Sequence, residues 1–177
     1  LRVYLHQGGF PELCVDQNQP FNSGYLRDLF DRIITRDIAQ RFKVRSIKLL
    51  KELGLYLYSQ PASLQSYQKL KRFLEFKSVI TVKNYVHYLQ DAYLIFELEA
   101  FSFKIKEVLK KPKKYYAIDN GLQNSLGLFH SENMDHLLES LVLQELMRSA
   151  KHRGREIYYY AGANCEVDFL VKEGLTR

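Results

Sequence analysis

Residues 66–91, SYQKLKRFLEFKSVITVKNYVHYLQD, carry the pattern on which the fold turns. Leu70, Phe73 and Leu74 recur at helical spacing between Ser66 and Glu75. After the break Phe76-Lys77-Ser78, a second helix from Val79 to Asp91 places Val82, Tyr85, Val86 and Leu89 on one face. Its other face shows Lys83, Asn84, His87, Tyr88 and Gln90. Two short helices joined by a tight turn, the second with a polar face that can donate to phosphates and base edges, match a helix-turn-helix. The same shape serves as a plain packing unit, so the pattern alone leaves both uses open.

Downstream, Leu94 to Leu98 and Phe101 to Ile105 read as paired strands, with a lysine cluster on or just after them. Between residues 104 and 114 lie six lysines (Lys104, Lys106, Lys110, Lys111, Lys113 and Lys114) and one acid, Glu107. The chain of 177 residues has 26 basic and 20 acidic side chains, a net charge of +6, so this segment holds nearly all of the excess. A local patch of this kind favours a defined anionic contact such as nucleic acid, although lysine-rich loops also serve as solvated surface. A helix pair followed by a hairpin beside a basic patch is the layout of a winged helix.

Upstream, residues 1 to 22 read as irregular, with Gly8-Gly9-Phe10-Pro11 and Pro20 as breakers. From Ser23, a plausible N-cap, Leu26, Phe30, Ile33, Ile34, Ile38 and Phe42 predict one helix. A second runs from Arg45 to Tyr58. Past Pro112 the composition turns to α/β. Tyr115 to Ile118 reads as a strand, Asp119-Asn120-Gly121 as a turn and 122–133 as irregular. A helix then runs from Asp135 to His152, followed by strands over Glu156 to Tyr160 and Glu166 to Lys172, with a turn at 161–164 between them. Leu175-Thr176-Arg177 begins a return strand, which would leave this sheet incomplete. The expected fold is therefore α+β: a helical N-terminal segment over 1–43, a winged helix over 44–111 and an α/β unit over 112–177.

Composition excludes several classes. The hydrophobic share of 46% supplies material for a core. No uncharged run is long and apolar enough to span a membrane. Two cysteines, Cys14 and Cys165, are too few for a disulfide scaffold and lack zinc-site spacing. Neither H-E-x-x-H nor a phosphate-binding G-x-x-x-x-G-K-[ST] occurs. No signal peptide is visible, so the expectation is an excised piece of a cytoplasmic protein.

The acids supply the remaining candidates. On a helical wheel of residues 135–152, Glu145 falls near the centre of the apolar arc of Leu137, Leu138, Leu141 and Val142, and Glu139 at its edge. On the following strand, alternation sets Glu166 and Asp168 on one face and Val167, Phe169 and Val171 on the core face. A helix glutamate and a strand aspartate that met across the layer could bind Mg²⁺ and activate water against a phosphodiester. The alternative pairs Glu145 with Arg148, Arg153 or a tyrosine hydroxyl and leaves Glu166 and Asp168 in solvent.

Several motifs occur in order along the chain. They are Gly8-Gly9-Phe10-Pro11-Glu12, Tyr25-Leu26-Arg27-Asp28-Leu29-Phe30, Ile33-Ile34-Thr35-Arg36-Asp37-Ile38 and Thr81-Val82-Lys83-Asn84-Tyr85. Ala92-Tyr93-Leu94-Ile95, Ile118-Asp119-Asn120-Gly121-Leu122 and Glu166-Val167-Asp168-Phe169-Leu170 follow. Together they resemble the C-terminal part of predicted bacterial and archaeal AAA-type ATPases that carry a domain of unknown function. In that family a P-loop ATPase precedes a winged helix and then a PD-(D/E)XK, or restriction-endonuclease-like, fold. The resemblance implies that Leu1 to about Glu12 is the tail of the ATPase lid. ATP would then be bound by the full-length protein and no cofactor by this fragment. It implies Glu139 and Asp168 as catalytic and metal-holding residues, with Glu145 the second candidate for the helix position. The third element, an acid or Gln two positions before a Lys, would lie beyond Arg177, and Lys172 is no substitute because position 170 is Leu.

The functional expectation is a DNA-binding and regulatory module, working with its own ATPase domain. It would touch DNA through Lys83, Asn84, His87, Tyr88, Lys104, Lys106, Lys110, Lys111, Lys113 and Lys114. The alternatives are a Mg²⁺-dependent nuclease active only in the full-length protein, and a protein-interaction module. No membrane partner is expected, and homo-oligomerisation stays open.

Overall fold

The computed structural model describes residues 1–14, 23–127, 134–162 and 165–173, without the side chains of residues 14 and 151–153. The chain opens with α1 (Arg2–Gln7) and α2 (Pro11–Cys14), then α3 (Ser23–Arg32), which continues through a π-helical stretch, Ile33–Ile38, into α4 (Ala39–Arg41). Next come α5 (Ile47–Ser59), β1 (Leu64–Gln65), α6 (Tyr67–Phe73), α7 (Val79–Asp91) and β2 (Ile95–Leu98). They are followed by α8 (Ile105–Lys110), β3 (Lys113–Ala117), α9 (Asn120–Leu126), α10 (Met134–Arg153), β4 (Arg155–Ala161) and β5 (Glu166–Glu173). The architecture is mixed α+β with small antiparallel sheets.

Local chemistry explains the helix starts. Ser46, Ser66 and Ser78 precede α5, α6 and α7, and each hydroxyl accepts a backbone N–H of the first turn, from Leu49, Lys69 and Ile80. Such caps satisfy donors that the helix itself cannot pair. Within the long N-terminal helix, the Thr35 hydroxyl donates to the Asp31 carbonyl at 2.7 Å, a side-chain bond back into the ladder beside the π-helical stretch.

The first sheet has the order β1-β3-β2, all antiparallel, with Leu64 opposite Lys114, and Ile95 opposite Ala117. β3 is thus its central strand, although composition groups it with the C-terminal unit. The expected hairpin of Leu94–Leu98 with Phe101–Ile105 is not formed: β2 pairs with β3, and residues 105–110 are helical. Ile105, Leu109 and Val108 supply the i, i+3, i+4 spacing that favours a helix there.

Every residue of β3 is buried, and alternation along it divides two cores. Tyr115 and Ala117 join Leu26, Phe30, Leu50, Leu53, Leu57 and Val82 in the helical core. Tyr116 joins Leu98, Leu143 and Tyr159 in a smaller cluster that holds the C-terminal layer. In the helical core, the Phe30 and Tyr58 rings meet edge to face at 5.8 Å, and the Tyr58 hydroxyl donates to the Leu94 carbonyl at 2.7 Å. β4 and β5 form a second antiparallel pair, tied to the run after β2 by a parallel bridge between Ala100 and Tyr159.

Two segments read as irregular are ordered helices. α1 and α2 lie within residues 1–14, and α9 starts where a turn was expected, because Asp119 caps it by accepting from Leu122 N–H at 3.2 Å. Asp119 also accepts from Gly9 N–H at 2.7 Å, so Gly8-Gly9 and Asp119-Asn120-Gly121 are one junction. Gly8 has φ of 76°, and a Cβ on it would strike the Asp119 carboxylate. A Cβ on Gly121 would lie 2.2 Å from the Gln7 carbonyl oxygen. Burial pushes the Asp119 carboxyl up from its ordinary value, against the pull of the N–H groups of Gly9, Leu122 and Gly121. Asn124 completes the joint by donating to the His6 carbonyl at 2.8 Å. The expectations for 15–22, for 128–133, for Ala163-Asn164 and for the return strand at Leu175 to Arg177 lie outside the described residues.

Gly121→Ala is expected to lower stability by about 1–3 kcal/mol, because the added methyl meets backbone that cannot step aside. Urea unfolding followed by far-ultraviolet circular dichroism measures it. An unchanged midpoint would mean that α1 is not packed on α9.

Candidate functional site

α10 sets the first group of side chains. Its buried face carries Leu137, Ser140, Leu143 and Ala150, with Gln144 and Met147 half-buried beside them. The polar members are paired: the Ser140 hydroxyl donates to the Gln123 amide oxygen at 3.1 Å, and the Gln144 amide donates to Asn120 at 3.0 Å. Because two polar residues belong to the inward face, the apolar arc drawn from sequence is rotated. Leu138 and Val142 are exposed, and Glu145 points to solvent, where it pairs with Arg148. Glu145 is therefore not part of a buried acid site.

Glu139 is. It lies at the edge of the inward face, its side chain 18% exposed, and accepts from the Tyr116 hydroxyl at 2.7 Å. The second half comes from β5. Between Tyr158 and Tyr160 the pairing of β4 with β5 shifts by one residue, a β-bulge. The bulge breaks the alternation, so Asp168 and Phe169 both serve the same side: Asp168 reaches Lys114, and the Phe169 ring lies 6.1 Å from that of Tyr116. Val167 and Val171, expected in the core, are exposed instead.

Glu139 and Asp168 thus meet, and they meet on Lys114. Its Nζ lies 2.8 Å from Asp168, 3.0 Å from Glu166 and 3.6 Å from Glu139, with the Tyr159 ring beside it. Burial would lower the Lys114 ammonium, but the hydrogen bonds to Asp168 and Glu166 and the charge of Glu139 hold it above the ordinary lysine value. Lys113 points the other way from the strand. It pairs with Glu97 at 3.1 Å and with Glu99, beside the Tyr67 ring, and is likewise held above the ordinary value against its own desolvation. Both lysines were expected on the DNA face; buried within carboxylate pairs, neither reaches it.

A Mg²⁺ ion does not fit this arrangement. The ion requires oxygen ligands near 2.0–2.1 Å, and the point on which the three carboxylates converge is filled by an ammonium. Among the described residues no group of three or more metal-binding side chains is placed to hold an ion.

The other expected DNA-contacting residues divide. Lys83, Asn84 and His87 are exposed on α7, His87 within 3.6 Å of Asp91. Tyr88 is not free: it stacks on Phe42 at 4.0 Å and 9°. Lys104, Lys106 and Lys110 are exposed around α8, Lys111 is half-buried, and Glu107 pairs with Lys104 at 3.4 Å. A hollow of about 180 Å³ joins the two helices, lined by Tyr67, Val79, Lys83, Leu109, Lys110 and Lys111 among others. The Lys83 ammonium is steered into it by the Tyr67 ring at 5.4 Å. Sequence reasoning missed the inward roles of Lys113, Lys114 and Tyr116, since alternation shows which residues share a face but not which face is buried.

By fold and site, the chain is a mixed α+β protein with a buried lysine–carboxylate cluster and a separate exposed basic face. It belongs to the family described as Domain of unknown function (DUF8612), which matches residues 1–133. It is also similar to an uncharacterized protein of Methanocaldococcus jannaschii, 35% identical over 97% of this chain and 39% of the relative. An uncharacterized protein of Haemophilus influenzae is 29% identical over 96% of this chain and 42% of that protein. The chain therefore spans about two fifths of the length of these relatives. No solved structure matches it. Among the described residues no helix is long and apolar enough to cross a membrane.

Lys114→Met removes the shared cation from three carboxylates and is expected to cost about 1–3 kcal/mol at neutral pH. Because Lys113 and Lys114 titrate higher in the folded chain, their contribution is complete below the unfolded lysine value of 10.5 and is lost as pH rises through the folded values. Burial of the Tyr58, Tyr115 and Tyr116 hydroxyls acts in the same direction. Urea midpoints recorded from pH 7 to 11.5 should fall above about pH 10.5, and fall less steeply in the Lys114→Met variant. Parallel curves would remove Lys114 from this role.

Proposed function

We propose that this chain is a nucleic-acid-binding and regulatory segment of a longer ATPase, built from a winged helix and a nuclease-like layer. The observation that carries the reading is the element order α5-β1-α6-α7-β2-α8-β3, closed by a sheet of order β1-β3-β2. This supports a winged helix, whose order is a helix, a short strand, the helix-turn-helix pair, and two strands joined by a wing. Here α8 and its lysines occupy the wing. The exposed side chains of α7 are Lys83, Asn84 and His87, types that serve phosphate and base-edge contacts. Lys83 of α7 and Lys110 of α8, with Lys111 after it, line one hollow.

The ATPase association rests on the ordered motifs, to which the fold adds one consideration. Gly8-Gly9 and Asp119-Asn120-Gly121, far apart in the chain, form a single junction, so motifs that resemble the ATPase family act as a unit. ATP and the ATPase domain belong to the longer protein in this reading, and the cytoplasm is its place of work.

A second reading, a Mg²⁺-dependent nuclease, is favoured by one observation, the convergence of Glu139 and Asp168 on a common point. Lys114 at that point is the physical objection. In the full-length protein a nuclease would lose cleavage of plasmid DNA with Asp168→Ala while remaining folded by circular dichroism. Cleavage that survives the substitution, or is absent throughout, removes this reading. A protein-interaction module would show itself by a purified protein partner without any shift of DNA.

Duplex binding by fluorescence anisotropy tests the leading reading. Affinity should fall steeply between low and moderate salt. Lys83→Ala and Lys106→Ala should each reduce the slope of log affinity against log salt by about 1. No binding at low salt would overturn it.

A further inference from the structure

We propose that the segment leading into α8 stacks an unpaired nucleobase on Phe103 while the neighbouring lysines hold its phosphates. This rests on the nucleic-acid reading above and names the form of nucleic acid that the surface takes. Phe103 is 96% exposed, the most exposed large apolar side chain among the described residues. Its apolar area is open to solvent and therefore open to a partner that would cover it.

The ring does not stand alone. Phe103 meets Phe101 edge to face at 5.1 Å and 77°, and Phe101 meets Tyr158 at 5.7 Å and 71°. Three aromatics thus form a row that runs outward from β4 and ends on an open ring. The row is anchored, because Phe101 N–H donates to the Tyr159 carbonyl at 2.7 Å. Ser102 fixes the next step: its hydroxyl donates to Glu107 at 2.8 Å and accepts from Lys104 N–H at 3.2 Å. Phe103 is held out by this geometry, not left at the end of a loose tether.

The setting selects the occupant. Lys104, Lys106 and Lys110 follow the ring in the chain and are all exposed, and Glu107, the acid of that segment, is already engaged by Lys104 and Ser102. An aromatic platform among lysines is what unpaired nucleic acid requires, since every base offers a π-face and every nucleotide a phosphate. A base inside an intact duplex has both faces stacked on its neighbours and offers neither to Phe103. A lipid surface suits the segment less well. Interfacial helices lie flat with one apolar face immersed, whereas α8 has six residues, is held to the body by buried Val108, and interleaves Lys106 and Lys110 with exposed Ile105 and Leu109.

The test compares oligo-dT with a blunt duplex of matched length, using the 177-residue chain and its Phe103→Ala, Phe103→Trp and Lys106→Ala variants. Circular dichroism checks that each variant is folded. Phe103→Ala should weaken oligo-dT binding about tenfold or more, leave duplex affinity unchanged, and be rescued by Phe103→Trp. Lys106→Ala should weaken both. Duplex binding with oligo-dT affinity indifferent to Phe103 overturns this inference and leaves the nucleic-acid reading intact. Failure to bind either DNA at low salt overturns both. Phe103-dependent binding to phosphatidylserine vesicles, without an effect on DNA, assigns the ring to lipid and also overturns it.

Discussion

The structure depends on placing two ammonium groups inside it. Lys113 and Lys114 are consecutive residues of the central strand, so alternation sends them to opposite faces, each into protein. Removing an ammonium from water costs several kcal/mol, which carboxylates offset only in good geometry and with the remaining N–H groups also hydrogen-bonded. Each lysine has more than one: Glu97 and Glu99 on one side, Glu139, Glu166 and Asp168 on the other. Asp168 and Glu166 hold the ammonium by hydrogen bonds although they are about half exposed and partly screened by water, and the more buried Glu139, at 3.6 Å, adds the attraction of its charge. Lys114 draws α10, β5 and β3 to one point. Lys113 ties the run after β2 to the central strand and to Tyr67 at the start of α6.

This constraint also explains why one strand serves two cores. With Tyr115 and Ala117 facing the helices, and Tyr116 facing α10 and β4, β3 has no solvent side. Such a strand must satisfy its polar groups within the protein. The Tyr116 hydroxyl does so on Glu139, and the Tyr115 hydroxyl lies beside Glu97 and Tyr67. Burial of both hydroxyls opposes their ionisation, which keeps the strand neutral except for its paired lysines.

The helices were legible because their chemistry is local. α6 and α7 start beside the residues that the spacing predicted, each capped by a serine, Ser66 or Ser78, and α7 spans the expected residues. The partner of β2 was not legible. It lies beyond an intervening helix, so the pairing of Ile95 with Ala117 is a tertiary choice that short-range alternation does not encode. α10 misled for a different reason. Ser140 and Gln144 face inward because Gln123 and Asn120 wait for them on α9, and an apolar wheel has no means of counting a polar residue as buried. Glu139 and Asp168 were named as a pair through the family resemblance, whereas the wheel put Glu145 nearer the centre of the arc. Their partner Lys114 was assigned to the surface because a run of lysines gives no sign of which members point inward.

The separation of charge has a consequence for any polyanion that approaches. Six lysines in one segment suggest a single basic patch, but two of them are spent among five carboxylates. The molecule therefore has a basic face at α7 and α8 and an acid-rich cluster around β3 and β5, where the fixed charge is net negative. Coulomb attraction at the first and repulsion at the second would align a bound strand along α7 and α8. Moving a phosphate onto Glu139 and Asp168 would require more positive charge than Lys114 provides, since that ammonium is already shared among three carboxylates. Binding is thus favoured where the lysines are free, and chemistry at the carboxylates is disfavoured until their balance of charge is changed.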